Sequence, residues 1–299
     1  MKRKRILLAT ALILGLILVP AIDSGQATAA APTLYVDADA TGANNGTSWA
    51  DAYTDLQDAL AAAVIGGTKI WVAEGVYTPG GAGDHSATFQ LKSGVKVYGG
   101  FAGNETRGSQ RDWQANVTVL SGDIDGNDAT DANGIVTDPN HIAGANAYHV
   151  VTGSGTDTTA ILEGFTITGG HAGSAVSPDS LGGGMYTFNG SPTLNNLIFR
   201  GNQANTMGGG MYNDGNSDPT LTYVTFRNNR AYAGGGMRNA DSSPTLIDVT
   251  FDDNFATDMG GGMQNYYSSP TLIGGDFTDN TAGTDGGGLH NYESSPMLE

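Results

Sequence analysis

The string Gly-Gly-Gly followed by Met or Leu begins at Gly182, Gly208, Gly234, Gly260 and Gly286, each copy 26 residues after the last. Pro-Thr-Leu recurs between the copies at 192–194, 219–221, 244–246 and 270–272, with Pro-Met-Leu at 296–298. Five residues after each of the first four leucines comes a Phe-x-x-Asn group: 199–202, 226–229, 251–254 and 277–280. Three signals in phase over five copies mark a repeat architecture, and they exclude disorder despite 46 glycines in 299 residues.

Each repeat reads as short strands and turns with no helical stretch. In Val224-Thr225-Phe226 and Val249-Thr250-Phe251, Val and Phe face one way and Thr the other, the alternation of a half-buried strand. Strands this short bury a face only when equivalent residues stack coil on coil. The expected ladders are Phe199 to Phe277, Leu194 to Leu298, and Met185 through Met263 to Leu289, with Asn202, Asn229, Asn254 and Asn280 pairing amides at a turn. The glycines suit a sharp corner needing positive φ. A 26-residue coil is too long for hexapeptide β-helices, lacks the acidic residues of calcium-binding glycine repeats, and lacks the leucine-rich consensus. The fold class expected is therefore all-β: a right-handed parallel β-helix of nine to ten coils, about 45 Å long at one strand spacing per coil.

Residues 32–159 are less regular. Thr54-Asp55-Leu56-Gln57 forms a capping box, and Leu56, Ala59, Leu60, Ala63 and Val64 form one apolar stripe of a short helix. Such a helix would cap the first coil. Strand-like runs follow at 69–77, 88–91, 95–101, 117–122, 148–151 and 161–168, and residues 160–299 carry the regular repeats. The chain stops at Met297-Leu298-Glu299, just past a repeat's proline, so further coils are expected beyond it.

Residues 1–31 read as a secretory signal peptide: Lys2-Arg3-Lys4-Arg5, an apolar run from Ile6 to Val19, and small residues offering cleavage after Ala29 or Ala31. The run is short for a membrane span, and no later segment is apolar enough for one. A secreted or cell-surface protein is expected. Without the leader, nine basic side chains face twenty-nine acidic ones, a formal charge of −20. That charge disfavours nucleic acid and anionic lipid as partners. There is no cysteine for disulfide, lipid attachment or thiolate chemistry.

The opening from Tyr35 to Ala63, with Ile70-Trp71-Val72-Ala73-Glu74-Gly75-Val76-Tyr77 and Val95 to Glu105, resembles the start of many bacterial extracellular β-helix proteins, carbohydrate-active ones included. The repeats resemble those of the chlamydial polymorphic outer-membrane proteins, whose signatures are Phe-x-x-Asn and Gly-Gly-Ala before an apolar residue. Phe-x-x-Asn is matched four times, whereas a third Gly stands where that family has Ala. The resemblance implies a surface-exposed, adhesin-like protein; that family's C-terminal membrane β-barrel has no counterpart in this sequence.

Candidate chemistry is sparse. Tyr186, Tyr212, Tyr266 and Tyr292 lie near equivalent corners, joined by Phe188, Tyr232 and Tyr267, and an aromatic row can stack sugars or meet a protein. Packing within the corners is the competing explanation. Arg200 and Arg227 repeat directly after Phe, forming either a cationic strip for an acidic sugar or an exposed ladder that Asp252 offsets. Asp248, Asp252, Asp253, Asp276 and Asp279 could supply a glycosidase carboxylate pair, though repeats diversify at exposed positions. Asp123, Asp125 and Asp128 alternate with Gly and Asn as Ca²⁺ ligands do, and equally as turn formers do. The five histidines, His85, His141, His149, His171 and His290, show no metal-ligand spacing, and no nucleophile-elbow, phosphate-loop or zinc-protease motif occurs. The regularity of the repeats favours a non-catalytic, adhesin-like protein binding an extracellular glycan or protein along a solenoid face. A β-helix polysaccharide lyase or glycoside hydrolase and a structural stalk are the alternatives.

Overall fold

The computed structural model describes residues 31–64 and 66–299; the expected leader lies almost wholly outside them. The chain is a parallel β-solenoid in which every pair of named strands is parallel. One sheet has nine strands, beginning with Thr33–Val36 and Lys69–Ala73 and ending with Met297–Leu298. A second, with Ile198–Arg200 at its middle and Thr225–Arg227 beside it, has seven, as does a third that includes Met211–Asp214. Among the described residues the one α-helix, Leu56–Ala62, buries Leu56, Ala59 and Leu60 against the first coils. Its N-cap is Asp55, one residue later than the sequence suggested: the Asp55 carboxylate accepts the Gln57 N–H at 2.8 Å. Val64 belongs to no stripe and stands 68% exposed. No described helix is long and apolar enough to cross a membrane.

The expected ladders form. Phe199, Phe226, Phe251 and Phe277 stack with centroids 4.8, 5.0 and 4.8 Å apart and rings within 8° of parallel. Met185, Met211, Met237, Met263 and Leu289 pair in one register, and Leu194 to Leu298 in another. Together they fill one continuous apolar core, except that Phe277 and Leu298, last in their ladders, stand exposed. Asn202, Asn229, Asn254 and Asn280 form the amide ladder: each side-chain oxygen accepts from the Asn one coil earlier, at 3.0, 3.0 and 2.9 Å.

A fourth sheet of five two-residue strands, including Gln203–Ala204 and Arg230–Ala231, completes the regular coil. Strands this short leave no periodicity to read. The runs at 69–77 and 161–168 each split at a corner, Gly75 (φ 138°) and Gly164 (φ 82°), so that one run feeds two sheets. Spacing along the chain also varies. Phe199 pairs with Phe226 and Phe226 with Phe251, steps of 27 and 25 residues, yet the ladder stays in register. Between the second and third sheets of the early coils, residues 122–150 leave the solenoid as a long excursion before the strand Val151–Thr152.

Candidate binding surface

The third sheet presents the tyrosines. Alternation turns Met185 and Thr187 inward and Tyr186 and Phe188 outward. Tyr186 and Tyr212 share one outward column, continued by Arg238, Gln264 and His290. Tyr266 and Tyr292 belong to a neighbouring column with Phe188, Asp214 and Ala240. The four tyrosines thus share a face and not a row. Tyr186 stacks between His149 and Tyr212, at 5.1 and 6.0 Å. Tyr212 is only 6% exposed, closed in with Leu181 and Ala240, and burial pushes its hydroxyl pKa up to about 12. Arg238, in the first column, reaches towards the second: its guanidinium lies 5.4 Å over the Tyr266 ring and is hydrogen-bonded to the Gln264 side chain. Half of this aromatic face is therefore packing; Tyr292, Tyr267 and Phe188 are its open part.

Arg200 and Arg227 are paired neighbours on the second sheet, and Asp252 follows in the same column. Arg227 Nε meets Asp252 Oδ2 at 3.1 Å, so the cationic strip is offset by the next coil. Beside Arg200 the excursion docks: Val136 N–H donates to Thr168 Oγ1 at 3.0 Å, and a Cβ on Gly201 would stand 2.0 Å from the Val136 carbonyl.

Asp123, Asp125 and Asp128 hold that excursion in shape. Asp123 accepts the N–H groups of Gly126, Asn127 and Asp128, and Asp125 that of Ala145. Asp128 accepts the Ala143 N–H at 2.7 Å and the Asn146 amide at 2.8 Å. Burial pushes the Asp128 pKa up to about 6; those two hydrogen bonds oppose the rise, and the Asp123 and Asp125 charges add to it. Among the described residues no three His, Cys, Asp or Glu side chains cluster to hold a metal ion. Each of the three carboxylates that the sequence offered to Ca²⁺ thus accepts at least one backbone N–H within the excursion.

The excursion's far end builds a cleft. Its short 3-10 turn Pro139–His141 brings Asn140 to the solenoid, where Arg230 Nη1 donates to Asn140 Oδ1 at 3.1 Å. The Arg230 guanidinium lies 5.2 Å over the Phe255 ring, and Asn228 Nδ2 donates to Asp253 Oδ2 at 2.6 Å. Asn228 and Asp253 occupy one corner of successive coils with φ of 51° and 54°, a conformation their short polar side chains tolerate. The same side chains consequently project outward. Asp138, Asn140, Asn228, Arg230, Asp253 and Phe255 line an open cleft of about 350 Å³. Sequence reasoning named Asp253 only among the scattered carboxylates and missed Asn140 and Phe255, because nothing local says which coil the excursion touches. No family model, curated protein or solved structure matches this chain.

Proposed function

We propose that this is a secreted, non-catalytic solenoid protein, adhesin-like, that binds a glycan in the cleft between the excursion and the coils. The observation that carries the reading is the cleft's chemistry. Planar amides and carboxylates from one corner of successive coils and from the excursion, a guanidinium and an exposed aromatic ring suit the hydroxyls and C–H faces of a sugar. The leader-like N-terminus and the adhesin-like repeats support an extracellular setting.

Binding of the folded chain to a panel of neutral and acidic oligosaccharides tests it. Arg230→Met and Phe255→Ala should each weaken the bound glycan about tenfold or more, the effect of losing one well-made contact. Unchanged affinity in both variants would place binding elsewhere. A second reading, polysaccharide cleavage, draws on Asp138 and Asp253 lining the same cleft as Arg230; product release during the same incubation would favour it.

A further inference from the structure

On an acidic molecule the cations are unevenly placed: Lys69, Lys92, Lys96, Arg107 and Arg111 are five of the nine outside the leader. Two of these five are committed to the fold. Lys92 donates to the Leu60 carbonyl at the end of the helix. Arg111 is paired with Glu163, donates to the Gly99 carbonyl at 3.2 Å, and covers the Tyr98 ring at 5.1 Å. Lys69 and Lys96 are different. They stand directly opposite one another on neighbouring strands of the nine-stranded sheet, and among the described residues neither has a carboxylate within ion-pairing distance. Like charges directly opposite destabilise a sheet, so the fold gains nothing from this pair.

The adjoining column on the same face carries Tyr35, Trp71, Tyr98 and Glu163 in register. Trp71 is stacked on Phe101 at 4.8 Å and edge-on to Tyr35 at 5.6 Å; Trp49, beside them, is fixed by its Nε1–H to the Glu105 carbonyl at 2.9 Å. The aromatic wall is therefore assembled before any ligand arrives. Lys69, Trp71, Tyr98, Phe101, Arg111 and Glu163 line a pocket of about 350 Å³.

We propose that this pocket is a second site, for a carboxylate-bearing sugar ring of an acidic polysaccharide. Lys69 takes the carboxylate, with the charge of Lys96, opposite it on the next strand and outside the pocket lining, adding to the attraction; the Trp71–Tyr98 wall packs the ring's C–H face, and Glu163 accepts a hydroxyl. The mixture of charges selects this class. A run of acidic residues on a peptide would need a free cation for each carboxylate, and Arg111 is already paired with Glu163, whereas a uronate carries one acid among neutral hydroxyls. The site is on another sheet from the Arg230 cleft and does not rest on it.

Titration calorimetry of the folded chain at low salt with tetragalacturonate and tetramannuronate tests the proposal, with methyl-esterified tetragalacturonate and tetraglutamate as comparisons. The expected result is binding of at least one uronate oligomer, at least tenfold weaker for the methyl ester. Joint Lys69→Met and Lys96→Met substitution, which keeps the apolar stems, should lower that affinity at least tenfold without lowering the thermal midpoint. No binding by either uronate, equal binding of the ester, or wild-type affinity in the double variant would overturn the proposal. Tetraglutamate binding as tightly as the uronates would overturn it too, assigning the pocket to acidic peptides.

Discussion

Four positions of the regular coil hold a left-handed residue, and the side chains found there show how the backbone dictates composition. Between the first and second sheets the position holds Gly164, Asn196, Tyr223, Asp248 and Gly274, all with positive φ. Gly, Asn and Asp accept that region readily; a tyrosine does not. Tyr223, at φ 53° and 60% exposed, has little packing to compensate. Tyr223→Gly should raise stability to denaturant by about 1 kcal/mol; a loss would show that the ring's contacts outweigh the strain. Asp128 supplies a pH signature. Its folded pKa of about 6 stands above the unfolded value of 3.8, so between those values the folded chain holds a proton that the unfolded chain sheds. The stability this group contributes is fully present below about pH 4 and is lost as pH rises through 6. Asp128→Asn should flatten that component in midpoints measured from pH 4 to 7; an unaltered slope would place the titration elsewhere.

At the scale of elements, the ladders join the coils. Asn229 is 1% exposed and accepts both the N–H and the side-chain amide of Asn202 while donating to the Phe199 carbonyl at 2.8 Å. Asn229→Ala strands these partners in the interior and should cost about 2–4 kcal/mol in equilibrium unfolding; a cost under about 1 kcal/mol would mean water replaces the amide. The Phe, Met, Leu and Asn202 ladders were legible because each residue type recurs after a marker. A second amide ladder, Asn213 to Asn239 to Asn265 to Asn291 at 2.9, 2.9 and 2.8 Å, was not recognised. Its asparagines face inward two places after the core methionine or leucine, where apolar side chains are expected, and Thr187 stands in the first copy of the column. The serine series Ser217, Ser242, Ser268 and Ser294, linking coils through N–H to Oγ contacts of 2.9–3.0 Å, was hidden by a one-residue insertion near Gly215. The tyrosine columns were separable in principle: Tyr186 and Tyr212 stand four residues after their first glycine, Tyr266 and Tyr292 six. An offset of two keeps the face and changes the column.

At the scale of the molecule, periodicity specifies the solenoid but not what leaves it. The cleft depends on a contact between Asn140 and Arg230, 90 residues apart, made by an excursion with no repeat of its own. Likewise, Lys69 and Lys96 become neighbours only when register is known. Repeat chemistry was therefore readable and site chemistry was not, since binding residues sit where the repeat is broken or decorated. The most direct test incubates the folded chain with neutral and acidic polysaccharides, with and without Ca²⁺, and measures retention on the polymer and release of products together. The account predicts retention that Arg230→Met and Phe255→Ala diminish, with no product formed. Turnover by the wild-type chain, abolished by Asp138→Asn or Asp253→Asn, would contradict it and make the cleft an active site.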